Sequence, residues 1–324
     1  MIKTDVQQAF LHASLAQDVY IHPPARYPCP PGHVLKLLKA VYGLHQGPVQ
    51  FKKEVTDWLR AAGYDPIHDS ETIWELRTDK GILVHALYAD DFLHFPNNPE
   101  LYSEFKVKIQ QKFDIKTGEV DNYLGNRITR NEQAGLIRLD QEAYLEEVLK
   151  RFNMDKCTPV KTPMEERLSE ANRGTTLSKE DQAKYRMIVG SLLYLACWSR
   201  PDISFAVSEL SRFVSSAGEV QMKAAQRVLR YLKGSKELGL QYMKSSDPTN
   251  ILWGYVDSDW AGCLDTRKST SGYVLMFNGC AVSWKSKRQS VVALSSAEAE
   301  FIAASSLVQE VIAIRKLLEK SGVP

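Results

Sequence analysis

Apolar residues recur along this chain at two periods, and the change between them marks its elements. The stretch VQFKKEVTDWLRAAGY sets Phe51, Val55, Trp58 and Leu59 at helical spacing, with Gly63 placed to end the helix. NPELYSEFKVKIQQKF reads as a second amphipathic helix. Between them, ETIWELRTDKGILVHALYADDFLHF holds two alternating runs joined by the turn-like TDKG, which predicts a β-hairpin. KTDVQQAF predicts a strand running into a helical or turn segment, and DVYIHPP a strand broken by Pro23 and Pro24. Residues 1–125 therefore read as mixed α/β. Residues 126–245 read as mostly helical, with a loop-rich passage before Ser178. Ser178 stands three residues before Asp181, as in a capping box, and opens the helix KEDQAKYRMIVGSLLYLACW. Residues 250–285 predict a meander of antiparallel strands, followed by one long helix from SSAEAEF onward.

Composition narrows the class. The 324 residues allow about two or three compact domains. Hydrophobic content of 44% and charged content of 25% are those of a globular protein. A net charge of +2 is too small to argue by itself for nucleic acid. Cys29, Cys157, Cys197, Cys263 and Cys280 are scattered without a C-x-x-C pair, which argues against a disulfide framework or zinc ribbon and fits a reducing compartment. No apolar run approaches the roughly 20 residues that span a bilayer. MIKTDVQQAFLHASL reads as domain interior rather than as a signal peptide. The expectation is an intracellular protein, in a cytoplasmic particle or the nucleus, neither secreted nor in a membrane.

Candidate chemistry gathers at Asp90 and Asp91, two adjacent acids between short apolar runs. Neighbouring carboxylates at a strand turn repel unless a cation lies between them. Oxygen-only ligands suit Mg²⁺ held against substrate phosphates. A third acid from another strand would complete a two-metal site for in-line attack at phosphorus. Asp5, at the end of an apolar strand, is the candidate; ordinary turn residues are the alternative.

In order and spacing, the motifs resemble the reverse transcriptase–ribonuclease H region of copia-type LTR retrotransposon Pol polyproteins. The segments that carry the resemblance are KTDVQQAFLHASLAQDVYIHPP, LLKAVYGLHQGPVQF, LYADDF, DNYLGNRI, VKTPM, MIVGSLLYLACWSRPDISFAVSELSRF, and GYVDSDWAGCLDTRKSTSGYV with ALSSAEAEFIA. The resemblance implies an α+β fold: a polymerase palm over 1–125, a helical thumb and connection over 126–245, and an incomplete ribonuclease H-like domain over 246–324. It implies RNA-directed DNA synthesis on an RNA template from a DNA primer and deoxynucleotide triphosphates, with hydrolysis of the RNA–DNA hybrid. Asp5, Asp90 and Asp91 then correspond to polymerase ligands of Mg²⁺ (or Mn²⁺). Asp257 and Glu300 correspond to the ribonuclease H metal ligands, while Asp259 and Glu298 fall outside that pattern as solvated residues. Phe10 falls where an aromatic ring under the sugar excludes a 2′-hydroxyl, with core packing as the alternative. Gln46 would contact nucleotide or template, and Tyr88 the primer end.

Some features depart from the pattern. Ala89, Gly47 and Phe51 stand where valine, alanine and tryptophan are common. The family's fingers region would precede Met1, and its ribonuclease H would continue past Pro324 into further acids. The expectation from this is weak or absent activity of the isolated chain; the alternative function is a catalytically inactive, retrotransposon-derived fragment that at most binds nucleic acid. Lys223, Arg227 and Arg230 share one helix face, and Lys285, Lys287 and Arg288 form a second basic cluster. Both are candidates to track phosphates.

Overall fold

The computed structural model describes residues 1–67, 70–172, 174–244 and 252–321, which fall into two compact units, Met1–Val120 and Asp121–Glu319. The first runs β1 (Ile2–Val6), α1 (Ala9–His12), β2 (Tyr20–Ile21), β3 (Leu35–Lys36), α2 (Gln46–Ala61), β4 (Asp65–Pro66), β5 (Ile73–Thr78), β6 (Gly81–Tyr88), β7 (Asp91–Pro96), α3 (Pro99–Gln110) and β8 (Ile115–Gly118). Six of these strands form one antiparallel sheet in the order β4-β5-β6-β7-β1-β8. β1 is first in the chain yet lies between β7 and β8, which sets its side chains beside those of β7.

The helical period read from the sequence supplies this unit's core. Phe51, Val55 and Leu59 recur every four residues on α2, and Leu101, Phe105 and Ile109 do so on α3. These faces bury against Trp74, Leu83 and Phe92 of the sheet. Asn98 caps α3 by accepting from the Glu100 amide at 3.0 Å, and Gly63, at φ +88°, turns the chain out of α2.

The second unit runs β9 (Asn122–Tyr123), β10 (Asn126–Asn131), β11 (Leu136–Asp140), α4 (Glu142–Arg151), α5 (Lys179–Trp198), α6 (Ser204–Ser211), α7 (Glu219–Gly234), β12 (Leu240–Met243), β13 (Trp253–Ser258), β14 (Thr270–Phe277), β15 (Cys280–Arg288) and α8 (Ser296–Lys320). Helices α4 to α7 enclose one apolar cluster that includes Leu145, Val148, Tyr185, Leu192, Val228 and Leu229. The expected meander is present as the sheet β13-β14-β15, and the long helix as α8.

Residues 126–245 are less helical than their pattern predicts, because β9 to β12 form a four-stranded sheet in the order β12-β11-β10-β9. Charges on these strands mask their alternation. Asp140 is fully buried, and Arg127 and Arg138 neutralise it at 3.0 and 3.2 Å. Of the expected domain boundaries, 125/126 falls beside the two-residue loop between β9 and β10, and 245/246 lies outside the described residues.

Half of the expected capping box is formed, the serine cap, while Asp181 takes the Ser178 hydroxyl rather than its backbone amide. Ser178 Oγ accepts from the Asp181 amide at 3.1 Å and donates to its carboxylate at 2.8 Å. Ser178→Ala should therefore cost about 1 kcal/mol. The expected result is a lower urea midpoint with an unchanged denaturant slope; an unshifted midpoint would mean that the cap is idle.

Candidate active site

β6 and β7 are joined by only two residues, Ala89 and Asp90, with Tyr88 and Asp91 as the closing pair. Ala89 takes φ +52°, a conformation that favours glycine at the first position of such a loop. The Asp90 carbonyl accepts from the Val6 amide at 3.0 Å and fastens the loop to the end of β1. Along β1, Asp5 lies directly opposite Asp91. The antiparallel register thus sets an acid from each strand side by side, next to the acid in the loop.

Like charges directly opposite destabilise a sheet. Partial burial raises the Asp5 carboxyl above its ordinary value, and the charges of Asp91 and Asp90 raise it further, while Lys3 and Lys116 pull it down. Lys3 pairs with Asp91 at 3.0 Å, and the Gln7 amide donates to Asp5. Lys3 was not anticipated as part of the site, although it stands two residues before Asp5 and so shares its face of β1.

Among the described residues, no three His, Cys, Asp or Glu side chains converge closely enough to enclose a metal ion. The chemistry of the donors nonetheless fits a hard divalent cation. They are carboxylate oxygens whose mutual repulsion a cation would relieve, and one of them already holds an ammonium.

Three further expected residues surround the acids in sequence or in packing. Phe10, on α1, sets its ring 4.6 Å from Tyr42 and 6.1 Å from Phe51, centroid to centroid. Gly47 packs beside it, and a Cβ there would make ordinary contact with the Phe10 ring at 3.7 Å, so the alanine common at this position would also fit. Gln46, the first residue of α2, keeps a buried Oε1 without a hydrogen-bond partner. Tyr88 ends β6 with its side chain 58% exposed, free to meet a ligand rather than packed in the core.

The second acidic pair, in the other unit, is less converged. Glu300 Oε1 accepts from the Ser258 amide at 3.3 Å, so α8 meets β13 one residue past Asp257. Ser258 faces α8, because Gln289 donates both to its hydroxyl and to the Ala299 carbonyl. By strand alternation Asp257 falls on the opposite face, shared with Tyr255. There it lines a cavity of about 410 Å³ with Tyr255, Gly272 and Phe205. Asp259 and Glu298 are not simply solvated, as the sequence reading had them. Asp259 accepts from the Thr270 amide at 2.5 Å and pairs with Arg167, and Glu298 accepts from the Leu294 amide at 2.6 Å before α8.

Both basic clusters are partly spent inside the chain. On α7, Arg227 pairs with Glu165 at 2.8 Å and donates to Thr162, and Arg230 donates to the Thr158 carbonyl at 2.8 Å. Lys223 lines a cavity of about 440 Å³ with them. On β15, Lys285 and Lys287 are exposed on one face, while Arg288 on the other donates to Cys263 Sγ at 3.4 Å.

Comparison with known proteins adds a lineage to this geometry. A family model described as reverse transcriptase (RNA-dependent DNA polymerase) matches residues 1–166. The chain is 36% identical over 328 residues to the Retrovirus-related Pol polyprotein from transposon TNT 1-94 of Nicotiana tabacum, covering 98% of this chain and 24% of that protein. It is 31% identical over 313 residues to the putative transposon Ty5-1 protein of Saccharomyces cerevisiae, covering 95% of this chain and 100% of that protein. The chain thus spans about a quarter of the length of the Pol polyprotein it matches. Among solved structures it resembles a foamy viral protease-reverse transcriptase in complex with RNA/DNA hybrid, at a TM-score of 0.56 and 11% identity, over 96% of this chain and 36% of that one. That likeness concerns the fold, and the α+β architecture expected from the sequence is the one this chain has.

Proposed function

Because the chain belongs to the reverse transcriptase (RNA-dependent DNA polymerase) family, in its copia-type retrotransposon branch, we propose that it extends a DNA primer on an RNA template with deoxynucleotide triphosphates. The observation that carries this reading is the register that pairs Asp5 with Asp91 beside Asp90. Under this reading 1–125 acts as palm, 126–245 as thumb and connection, and 246–324 as a ribonuclease H-like domain; Asp257 and Glu300, its expected acids, lie on opposite faces of β13 here and do not form a metal pair, so no hybrid cleavage is derived from them.

Asp5, Asp90 and Asp91 would hold Mg²⁺ or Mn²⁺. When bound, such an ion lowers the barrier to attack of the primer hydroxyl on the nucleotide's α-phosphorus. The chain's own part is positional. The hydrogen bond from Val6 to the Asp90 carbonyl keeps the acids of loop and strand at a fixed spacing. Lys3 neutralises part of the acidic charge at Asp91. Phe10 presents its ring beneath the sugar, where a 2′-hydroxyl would collide with it. Gln46 offers a carbonyl oxygen that has no hydrogen-bond partner among the described residues.

The Lys3–Asp91 pair and the absence of a converged three-acid group among the described residues favour a second reading, a chain that binds primer–template without chemistry. Primer extension on an RNA template separates the two. The polymerase reading expects extension that needs a divalent cation, and expects Phe10→Ala to admit ribonucleotides about 10-fold or more readily. Salt-sensitive binding of primer–template without extension would leave the binding reading alone.

A further inference from the structure

Phe10 can exclude a 2′-hydroxyl only if its ring is held still, and α1 is too short to do so unaided. It has four residues, its preceding residue Gln8 sits at φ +52°, and no side chain caps it. What holds it is Tyr42, in the loop before α2. The Tyr42 ring packs against Phe10 at a centroid distance of 4.6 Å and an interplanar angle of 56°. On its other side the Phe10 ring meets buried Phe51 at 6.1 Å and 77°, so Tyr42 closes the ring against the core from the exposed side. Gly43 follows at φ +96° and lets the loop turn away directly afterwards.

Tyr42 is 58% exposed, so a ligand seated beside Phe10 can reach it.

We propose that Tyr42 is a positioning residue for sugar selection: it braces Phe10 against the incoming nucleoside triphosphate and so sets the preference for a deoxyribose. This rests on the polymerase reading above and adds to it a residue that acts through Phe10. A tyrosine that merely fills space would change all nucleotides alike. One that acts through Phe10 changes the ratio between two sugars, and only while Phe10 is present.

The test is a double-mutant cycle read by binding rather than turnover. The full chain is given a primer–template with a terminated primer and a templating adenine, in Ca²⁺. Affinities for dUTP and UTP, which differ only in the 2′-hydroxyl, are measured for wild type, Phe10→Ala, Tyr42→Ala, Tyr42→Phe and the double alanine variant. The expected result is a dUTP preference reduced about 2- to 10-fold by Tyr42→Ala, the range that an aromatic pair contributes. Tyr42→Phe, which keeps the ring, should retain most of the preference. Tyr42→Ala should have no further effect once Phe10 is alanine, because the two act as one unit. Thermal melts check that each variant is folded. An unchanged ratio in Tyr42→Ala, or additive losses in the double variant, overturns the inference and leaves the polymerase reading standing. A wild-type chain that binds neither nucleotide overturns both.

Discussion

Replacing Asp90 and Asp91 together with asparagine should lower RNA-templated primer extension by about 10³ or more while leaving the protein as stable as before. Asparagine keeps the shape of each side chain and removes its charge. The bonds that fix the loop are made by backbone: Tyr88 to Asp91, and the Val6 amide to the Asp90 carbonyl. They survive the change. Asp5 loses the two like charges that hold its carboxyl up, which relieves repulsion across β1 and β7. Against this stands the loss of the Lys3–Asp91 pair, a partly exposed contact worth about 0–1 kcal/mol. Activity and stability therefore separate, which is the signature of acids kept for chemistry. The measurement is extension of a labelled DNA primer with Mg²⁺, repeated with Mn²⁺, beside a urea melt. Cleavage of an RNA–DNA hybrid is followed in parallel, with Asp257→Asn as its own control, and Asp257→Asn should leave extension intact. Extension by the doubly substituted chain at the wild-type rate would end the assignment of this site.

Much of this was legible in the sequence where one element carries its own signal. Phe51, Val55 and Leu59 announced α2, and TDKG announced the β5–β6 hairpin, because period and turn chemistry are local. The four-stranded sheet of β9 to β12 was not legible. Arg127 and Arg130 on β10 and Arg138 on β11 interrupt the apolar alternation of its strands, and only the fold reveals Asp140 beneath two of them. The basic row on α7 was found by helical spacing, yet Glu165, Thr162 and Thr158, which engage it, come from a loop far away in sequence. The same limit applies at the site. That Asp5 opposes Asp91 is a statement of register between β1 and β7, and no local pattern sets the register of two strands so widely separated. Carboxylate chemistry singled out those acids and resemblance to a family gave them roles, while Lys3 and Tyr42, which touch them or the ring beside them, emerged only from packing.

Packing also exposed a pair that a strand pattern conceals. His85 and His94 occupy inward positions of β6 and β7 and face one another across the strands, both fully buried. Their Nδ1 atoms are 2.6 Å apart, so one ring donates to the other and both are neutral. Each Nε2 is buried without a hydrogen-bond partner among the described residues. Tyr64, Phe92, Phe105 and Tyr102 close around them, and Tyr102 in turn shares a hydrogen bond with Thr4. Burial, and then the charge of His94, hold His85 well below its ordinary value; burial, and then the N-terminal amine, hold His94 down to about 3. In the unfolded chain both return to about 6.5. The unfolded state thus binds protons that the folded state refuses, so this stability is complete above pH 6.5 and is lost as pH falls toward the folded values. His94, held at about 3, should by itself cost on the order of 3 kcal/mol by pH 4.5, and His85 adds to the loss in the same direction, against the roughly 5–15 kcal/mol typical of a domain. Trp74 lies directly opposite His85 in the same core, and the β5–β7 backbone amides exchange with solvent when this unit melts. Urea melts followed by hydrogen exchange at those amides should show a steep fall in midpoint between pH 6.5 and 4.5. His85→Leu with His94→Leu removes one neutral hydrogen bond and two unpartnered nitrogens, so the pair should be near neutral at pH 7.5 and should flatten that fall. Parallel profiles for the wild type and the double leucine variant would show that the acid sensitivity belongs to other groups.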